Sequence, residues 1–247
     1  MNYFIAVSIP FFILLISGKW MIKFLKKVNF GQQIRKEGPK SHLEKAGIPT
    51  MGGILILFGI FISAIFLKIN INLLIVLITT FGMGAVGFLD DYLKIKRERS
   101  LGLTAFAKII GQFGVALIIA LYVYLSPEIS NSLIIPITGN SIELGIFIIP
   151  LILFTVVGTA NAVNLTDGLD GLASSVTAVV AASYTFITSA LYFNQLSLFS
   201  LTIVGACLGF IWYNSHPAEV FMGDVGSLGL GGAIASLAVL TRTELLL

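Results

Sequence analysis

Eight stretches of this chain stay apolar for roughly 17 to 21 residues each, the length of helix that crosses a ~30 Å hydrocarbon core. They lie at about 3–20, 50–67, 71–89, 105–125, 144–163, 172–191, 196–213 and 225–242. Lipid offers a peptide group no water to bond, so each stretch must close its hydrogen bonds internally, as a helix. With 57% hydrophobic and 11% charged residues and a mean hydropathy of +0.99, the composition excludes an ordinary soluble domain. The expected class is all-α, a polytopic membrane helix bundle of about eight spans in one integral membrane domain, with no internal repeat or soluble module.

Basic residues orient such a bundle, because cytoplasmic loops retain Lys and Arg during insertion. Lys19, Lys23, Lys26, Lys27, Arg35, Lys36, Lys40 and Lys45 follow the first span, and Lys94, Lys96, Arg97, Arg99 and Lys108 follow the third. Only Lys68 and Arg242 fall on the other side, which places the N-terminus outside and, after eight crossings, Leu247 outside as well. The net charge of +3 is then a topology signal that also suits anionic lipid headgroups. It implies no nucleic acid. Pro10, the lack of a small-residue cleavage site and the long basic loop mark the first segment as a retained span. Cys207 is the single cysteine, excludes an intrachain disulfide and reads as a small buried apolar residue. Trp20, Trp212 and Tyr213 read as interfacial anchors. Residues 126–143 read as an external cap: Leu133 to Ile137, a Thr138-Gly139-Asn140 turn and Ser141 to Leu144 form a short β-hairpin.

All five aspartates, Asp90, Asp91, Asp167, Asp170 and Asp224, fall where apolar segments end on the basic side. Carboxylates near lipid are costly, and five on one surface repel unless a divalent cation, basic side chains or protons offset them. That pattern points to a metal-assisted site for an anionic substrate. In Gly82 to Lys94, small residues at 84 and 87 permit close helix packing. Asp90 and Asp91 point about 100° apart, which separates their tasks, and Lys94 shares the face of Asp90, to pair with it or hold a phosphate. Asn161, Asn164, Asp167 and Asp170 recur every third residue, a ridge able to read the donors and acceptors of a base or sugar, with Gly168 and Gly171 admitting a ligand to the backbone. An N-cap role for Asp170 ahead of Gly171 accounts for one residue of that row. Finally, Gly223-Asp224-Val225-Gly226-Ser227 puts a carboxylate, a hydroxyl and free amides at a helix start, suited to a metal-bound phosphate. The oxygen-only donors favour Mg²⁺ over zinc, and His42 and His216 read as loop hydrogen-bonders.

These motifs resemble those of the polyprenyl-phosphate sugar-1-phosphate transferases, most closely the branch that handles phosphomuramoyl-peptides. The resemblance runs from about Arg35 to the C-terminus through Gly38 to Gly53, Leu89-Asp90-Asp91-Tyr92, Asn164 to Gly171 and Phe221 to Ser227. It implies transfer of phospho-MurNAc-pentapeptide from UDP-MurNAc-pentapeptide to undecaprenyl phosphate, giving lipid I and UMP with Mg²⁺ at the cytoplasmic face of a bacterial inner membrane. By family position, Asp224 is the Mg²⁺ ligand, Asp90 deprotonates or orients the lipid phosphate and Asp91 supports the metal or a phosphate. The same correspondence gives the nucleotide to Asp167, Gly168, Asp170, Asn214 and Phe221, with Phe221 stacking on uracil. Lys45, Lys94 and Lys108 are given the phosphates, and Asn164 joins the substrate-binding set.

Two departures accompany it. Ile48 stands where the family usually has threonine, and the family's ten spans and histidine-rich loop lead to the expectation that residues 1–247 lack the last two. A sister transferase loading GlcNAc-phosphate, a membrane transporter and an inactive UDP-binding form are the alternatives. Gly226, Gly229, Gly231 and Gly232 allow close packing within the bundle or onto a second copy, which leaves a homodimer open.

Overall fold

A computed structural model describes residues 2–28, 47–97, 99, 101–127 and 129–247. Helices occupy all eight expected segments: α1 (Tyr3–Lys27), α2 (Gly53–Ile65), α3 (Ile71–Lys96), α4 (Ala105–Leu125), α5 (Ile148–Thr166), α6 (Leu172–Ala190), α7 (Asn194–Asn214) and α8 (Gly223–Thr241). Seven are long and apolar enough to cross a membrane. The exception is α2, whose 13 residues rise only about 20 Å. The expected span at 50–67 is shortened at its start because the chain there turns and pairs with a distant segment instead of continuing the helix: Met51 has φ 69°, Gly52 and Gly53 donate to the Phe221 and Met222 carbonyls at 2.8 Å, and Phe221 N–H donates to Pro49.

Local caps fix where helices begin. Asn2, Asn70 and Thr104 each accept a backbone N–H from three residues ahead, starting α1, α3 and α4. Pro10 lies within α1 without ending it. The hairpin is present between α4 and α5, with β1 (Ser132–Ile134) and β2 (Ser141–Glu143) antiparallel and Leu133 opposite Ile142. Its strands are shorter than expected.

The centre of the bundle is α8, buried without a break from Val225 to Thr241 and packed chiefly on α3 and α5, while α7 pairs with α1 and α6. Close approach requires small residues here. A Cβ at Gly87 would collide with the Asp224 carbonyl, and one at Gly226 would meet Met222 and Gly53. Gly229, Gly231 and Gly232 likewise face Leu57, Ala160 and Met83, so the glycine-rich face of α8 is spent inside the bundle. One anchor reading is corrected: Trp20 and Trp212 are exposed, but Tyr213 is buried and donates its hydroxyl to the Leu15 carbonyl at 2.7 Å, bracing α7 on α1. Cys207 is buried, as expected.

Candidate active site

At 1.5 Å per residue, the start of α3 and Asp90 are about 28 Å apart, so α3 delivers Asp90, Asp91 and Lys94 at the far edge of a ~30 Å apolar layer. The first turn of α4, the ends of α5 and α7 and the starts of α6 and α8 reach the same end.

Lys94 is the hub. Its Nζ lies 2.7 Å from Asp90 Oδ2, 3.2 Å from Asp91 Oδ1 and 3.0 Å from Asp224 Oδ2. Lys108 Nζ approaches the same Asp224 oxygen at 2.7 Å, and the other, Oδ1, accepts from Asn164 Nδ2 at 2.9 Å. Asn164 also donates to Ser227 Oγ at 2.8 Å. The two adjacent aspartates share Lys94 but differ in their second partner. Asp90 Oδ1 accepts the Leu103 N–H at 2.8 Å, pinning the loop that leads into α4, whereas Asp91 Oδ2 accepts the Val225 N–H at 3.1 Å from the first turn of α8. A carboxylate there also complements the positive end of the helix dipole.

The amides at the start of α8 are therefore not all free, as the glycine-rich motif had led us to expect. Val225 is taken by Asp91, and Gly223 donates its backbone N–H to Asp167. Asp167 is the C-cap of α5. Burial pushes its carboxyl up to about 7, reinforced by the charges of Asp224 and Asp91 and opposed by the Gly223 hydrogen bond.

The Asn161 to Asp170 row is not one ligand-facing ridge, because α5 ends at Thr166 and each member has its own partner. Asn161 pairs with Gln112. Asp170 Oδ2 meets His216 Nδ1 at 3.1 Å and the Ala218 N–H at 3.3 Å, which makes His216 the loop hydrogen-bonder foreseen. Nor does Asp170 cap α6: its N-cap is Gly171, with φ 75° and no side-chain cap. Asn214 is buried; its Oδ1 accepts from Gly171 N–H at 3.1 Å and its Nδ2 donates to Val220 at 2.9 Å. It braces the two loops that flank the site. Gly168 is exposed and open to approach, and Phe221 is half-buried in the segment paired with residues 49–52. Lys45 and His42 lie outside the described residues.

Sequence reasoning missed Ser227 as a partner of Asn164, Leu103 as a ligand of Asp90 and Gln112 altogether. Gly102 was the available signal for the second, since a Cβ there would strike the Asp90 backbone. Among the described residues, Asp90, Asp91 and Asp224 each offer an oxygen within 4.8 Å of the others. An all-oxygen set of this kind suits a hard divalent cation such as Mg²⁺. Lys94 Nζ already shows that a positive charge is accepted among all three.

The glycosyl transferase family 4 model matches residues 73–242, and signature 1 of the phospho-N-acetylmuramoyl-pentapeptide-transferases matches residues 45–57. Curated proteins of that name are close relatives. That of a Thermoanaerobacter species is 48% identical, aligned over 98% of this chain and 77% of its own length. Those of Halalkalibacterium halodurans and Clostridioides difficile are 44% and 45% identical, aligned over 98% and 97% of this chain and 76% and 75% of their own lengths.

Proposed function

Because this chain belongs to glycosyl transferase family 4, in its phospho-N-acetylmuramoyl-pentapeptide-transferase branch, we propose that it transfers phospho-MurNAc-pentapeptide from UDP-MurNAc-pentapeptide to undecaprenyl phosphate. The products are lipid I and UMP. The observation that carries the reading beyond kinship is the cluster of three carboxylates and two ammonium groups at the end of a membrane bundle. A transfer between two phosphorylated anions needs mainly charge neutralisation and alignment. The site faces the cytoplasm of a bacterial inner membrane, since the basic residues gather at its end, and the N-terminus lies outside.

Three carboxylates against two lysines leave the cluster one negative charge, matched to a divalent cation on Asp224 with support from Asp91. Mg²⁺, when bound, would polarise the pyrophosphate and offset the charge of both substrates. Lys108 and Asn164 orient the Asp224 carboxylate, one on each oxygen. Lys94 spans Asp90 and Asp224 and is placed to steady a phosphate between them. Asp90 orients the lipid phosphate and takes its proton where one remains. Asp91, buried and bonded to α8, orders the helix start in place of attacking. Uridine then lies by the 167–170 turn and Phe221, with Asp170 and Asn214 holding the 215–220 loop in place and Lys45 assigned to a phosphate.

UMP release by the 247-residue chain, given UDP-MurNAc-pentapeptide, undecaprenyl phosphate and Mg²⁺, tests this. Turnover with the muramoyl donor and none with UDP-GlcNAc is the expected result. The reverse preference would make it a GlcNAc-phosphate transferase, and UDP binding without turnover an inactive binder.

A further inference from the structure

We propose that Gln112 and Asn161 are positioning residues for the Asp224 centre, an amide pair that sets the register of α4 against α5. The inference rests on the transferase reading and reaches one helical turn beneath its charged groups. Asn161 Nδ2 donates to Gln112 Oε1 at 2.6 Å, and Gln112 Nε2 returns a bond to Asn161 Oδ1 at 3.3 Å. Asn161 Nδ2 also donates to the Val157 carbonyl at 2.7 Å.

What makes the pair more than polar glue is its place on each helix. Gln112 follows Lys108 by one turn of α4, and Asn161 precedes Asn164 by one turn of α5. Lys108 and Asn164 hold the two different oxygens of Asp224, at 2.7 and 2.9 Å. So the two helices that clasp the Asp224 carboxylate are clasped to each other directly below it. The buried residues of α4 are Gln112, Ala116, Ile119, Ala120 and Val123, so Gln112 is the one nearest Lys108. Apolar contact begins only a turn further away and tolerates sliding. A reciprocal amide pair does not: a slip of one residue moves a side chain about 1.5 Å along the axis and 100° around it. In an apolar layer no water replaces the lost bonds.

Three variants of the full chain test this: Gln112→Met, which keeps the shape; Gln112→Met with Asn161→Leu, which leaves no orphan amide; and the exchange Gln112→Asn with Asn161→Gln. The readouts are Mn²⁺ binding by electron paramagnetic resonance, the Mg²⁺ concentration for half-maximal UMP release, UDP binding and thermal unfolding. Gln112→Met should weaken Mn²⁺ binding and raise the Mg²⁺ requirement by about tenfold while UDP affinity stays within about twofold, the lower range for supporting partners of a metal site. The double apolar variant should unfold at a temperature near wild type yet keep the weak Mn²⁺ binding, and the exchange should recover most of it. Unchanged Mn²⁺ affinity in Gln112→Met would overturn the inference, as would a loss that the exchange leaves unrepaired or a wild-type chain that takes up no Mn²⁺. If the wild type binds Mn²⁺ but turns over no muramoyl donor, the transferase reading fails and the Mn²⁺ series still decides the positioning.

Discussion

The two ends of the bundle both bury charge, and they treat it in opposite ways. At the site end, Lys94 lies within 3.2 Å of three carboxylates, and each of those carboxylates holds a further donor. At the other end, Arg242 and Glu244 approach to 3.5 Å. There, Arg242 Nε, Nη1 and Nη2 and both Glu244 carboxylate oxygens have no hydrogen-bond partner among the described residues. A buried pair of poor geometry hardly repays its desolvation. The site end assembles a surplus of like charge and then satisfies every member, an arrangement that costs stability and is retained where it does chemistry. Buried charge therefore does not by itself mark the site of this protein; surplus charge with complete hydrogen bonding does.

The sharpest way to break that contrast is to neutralise each end and compare turnover. Asp224→Asn should lower UMP release by about 10³-fold and Lys108→Ala by about 10²-fold, as expected for groups that stabilise charge in a phosphoryl transfer. Arg242→Met with Glu244→Leu should leave the rate within about twofold, as for changes far from the chemistry. Equal losses at the two ends would mean that both sets of variants simply damage the bundle.

The same contrast explains what could be read from sequence. Segment lengths located all eight helices because the hydrocarbon layer imposes them, although α1 and α3 run seven residues past the expected ends, to Lys27 and Lys96, on basic turns that apolar length does not register; the aspartates identified the site end because charge is rarely placed there idly. Asp90, Asp91, Lys94, Lys108, Asn164 and Asp224 do converge. Partners were not legible, since they depend on how helices far apart in sequence dock: Asp91 with Val225, Asn164 with Ser227, Gln112 with Asn161. Period-three spacing suggested one ridge from Asn161 to Asp170, but α5 stops at Thr166 and scatters the row. The shortened α2 was hidden for a related reason: residues 50–52 are apolar enough for a span, yet the backbone of Pro49, Gly52 and Gly53 is claimed by Phe221 and Met222.

Stability gives a smaller contrast at the end opposite the site. Glu244→Leu alone should destabilise the chain by about 3 kcal/mol, because it leaves the Arg242 guanidinium buried without its ion-pair partner. Removing both charges should return stability to wild type or above it, since an apolar pair of similar volume carries no desolvation cost. Thermal unfolding in one detergent checks the order. A double variant less stable than either single one would show that the pair is well satisfied and that the two ends differ less than the geometry indicates.

The narrowest comparison is a pH dependence belonging to the site end. Asp167 is raised from an ordinary 3.8 to about 7 by burial and by the neighbouring Asp224 and Asp91 charges. The folded chain thus holds this proton more tightly than the unfolded one. Its contribution is most favourable below about pH 4, declines as the pH rises to about 7 and is constant beyond, when no divalent cation is present. Glu244 is also raised by burial, but there Arg242 opposes the shift. Asp167→Asn should therefore flatten the fall in unfolding temperature between about pH 5 and pH 7 more than Glu244→Gln does. Were Glu244→Gln to flatten it more, the Arg242–Glu244 pair would be the dominant titrating strain in the bundle, and the surplus of carboxylates at the site would be better neutralised by its two lysines than the charge count implies.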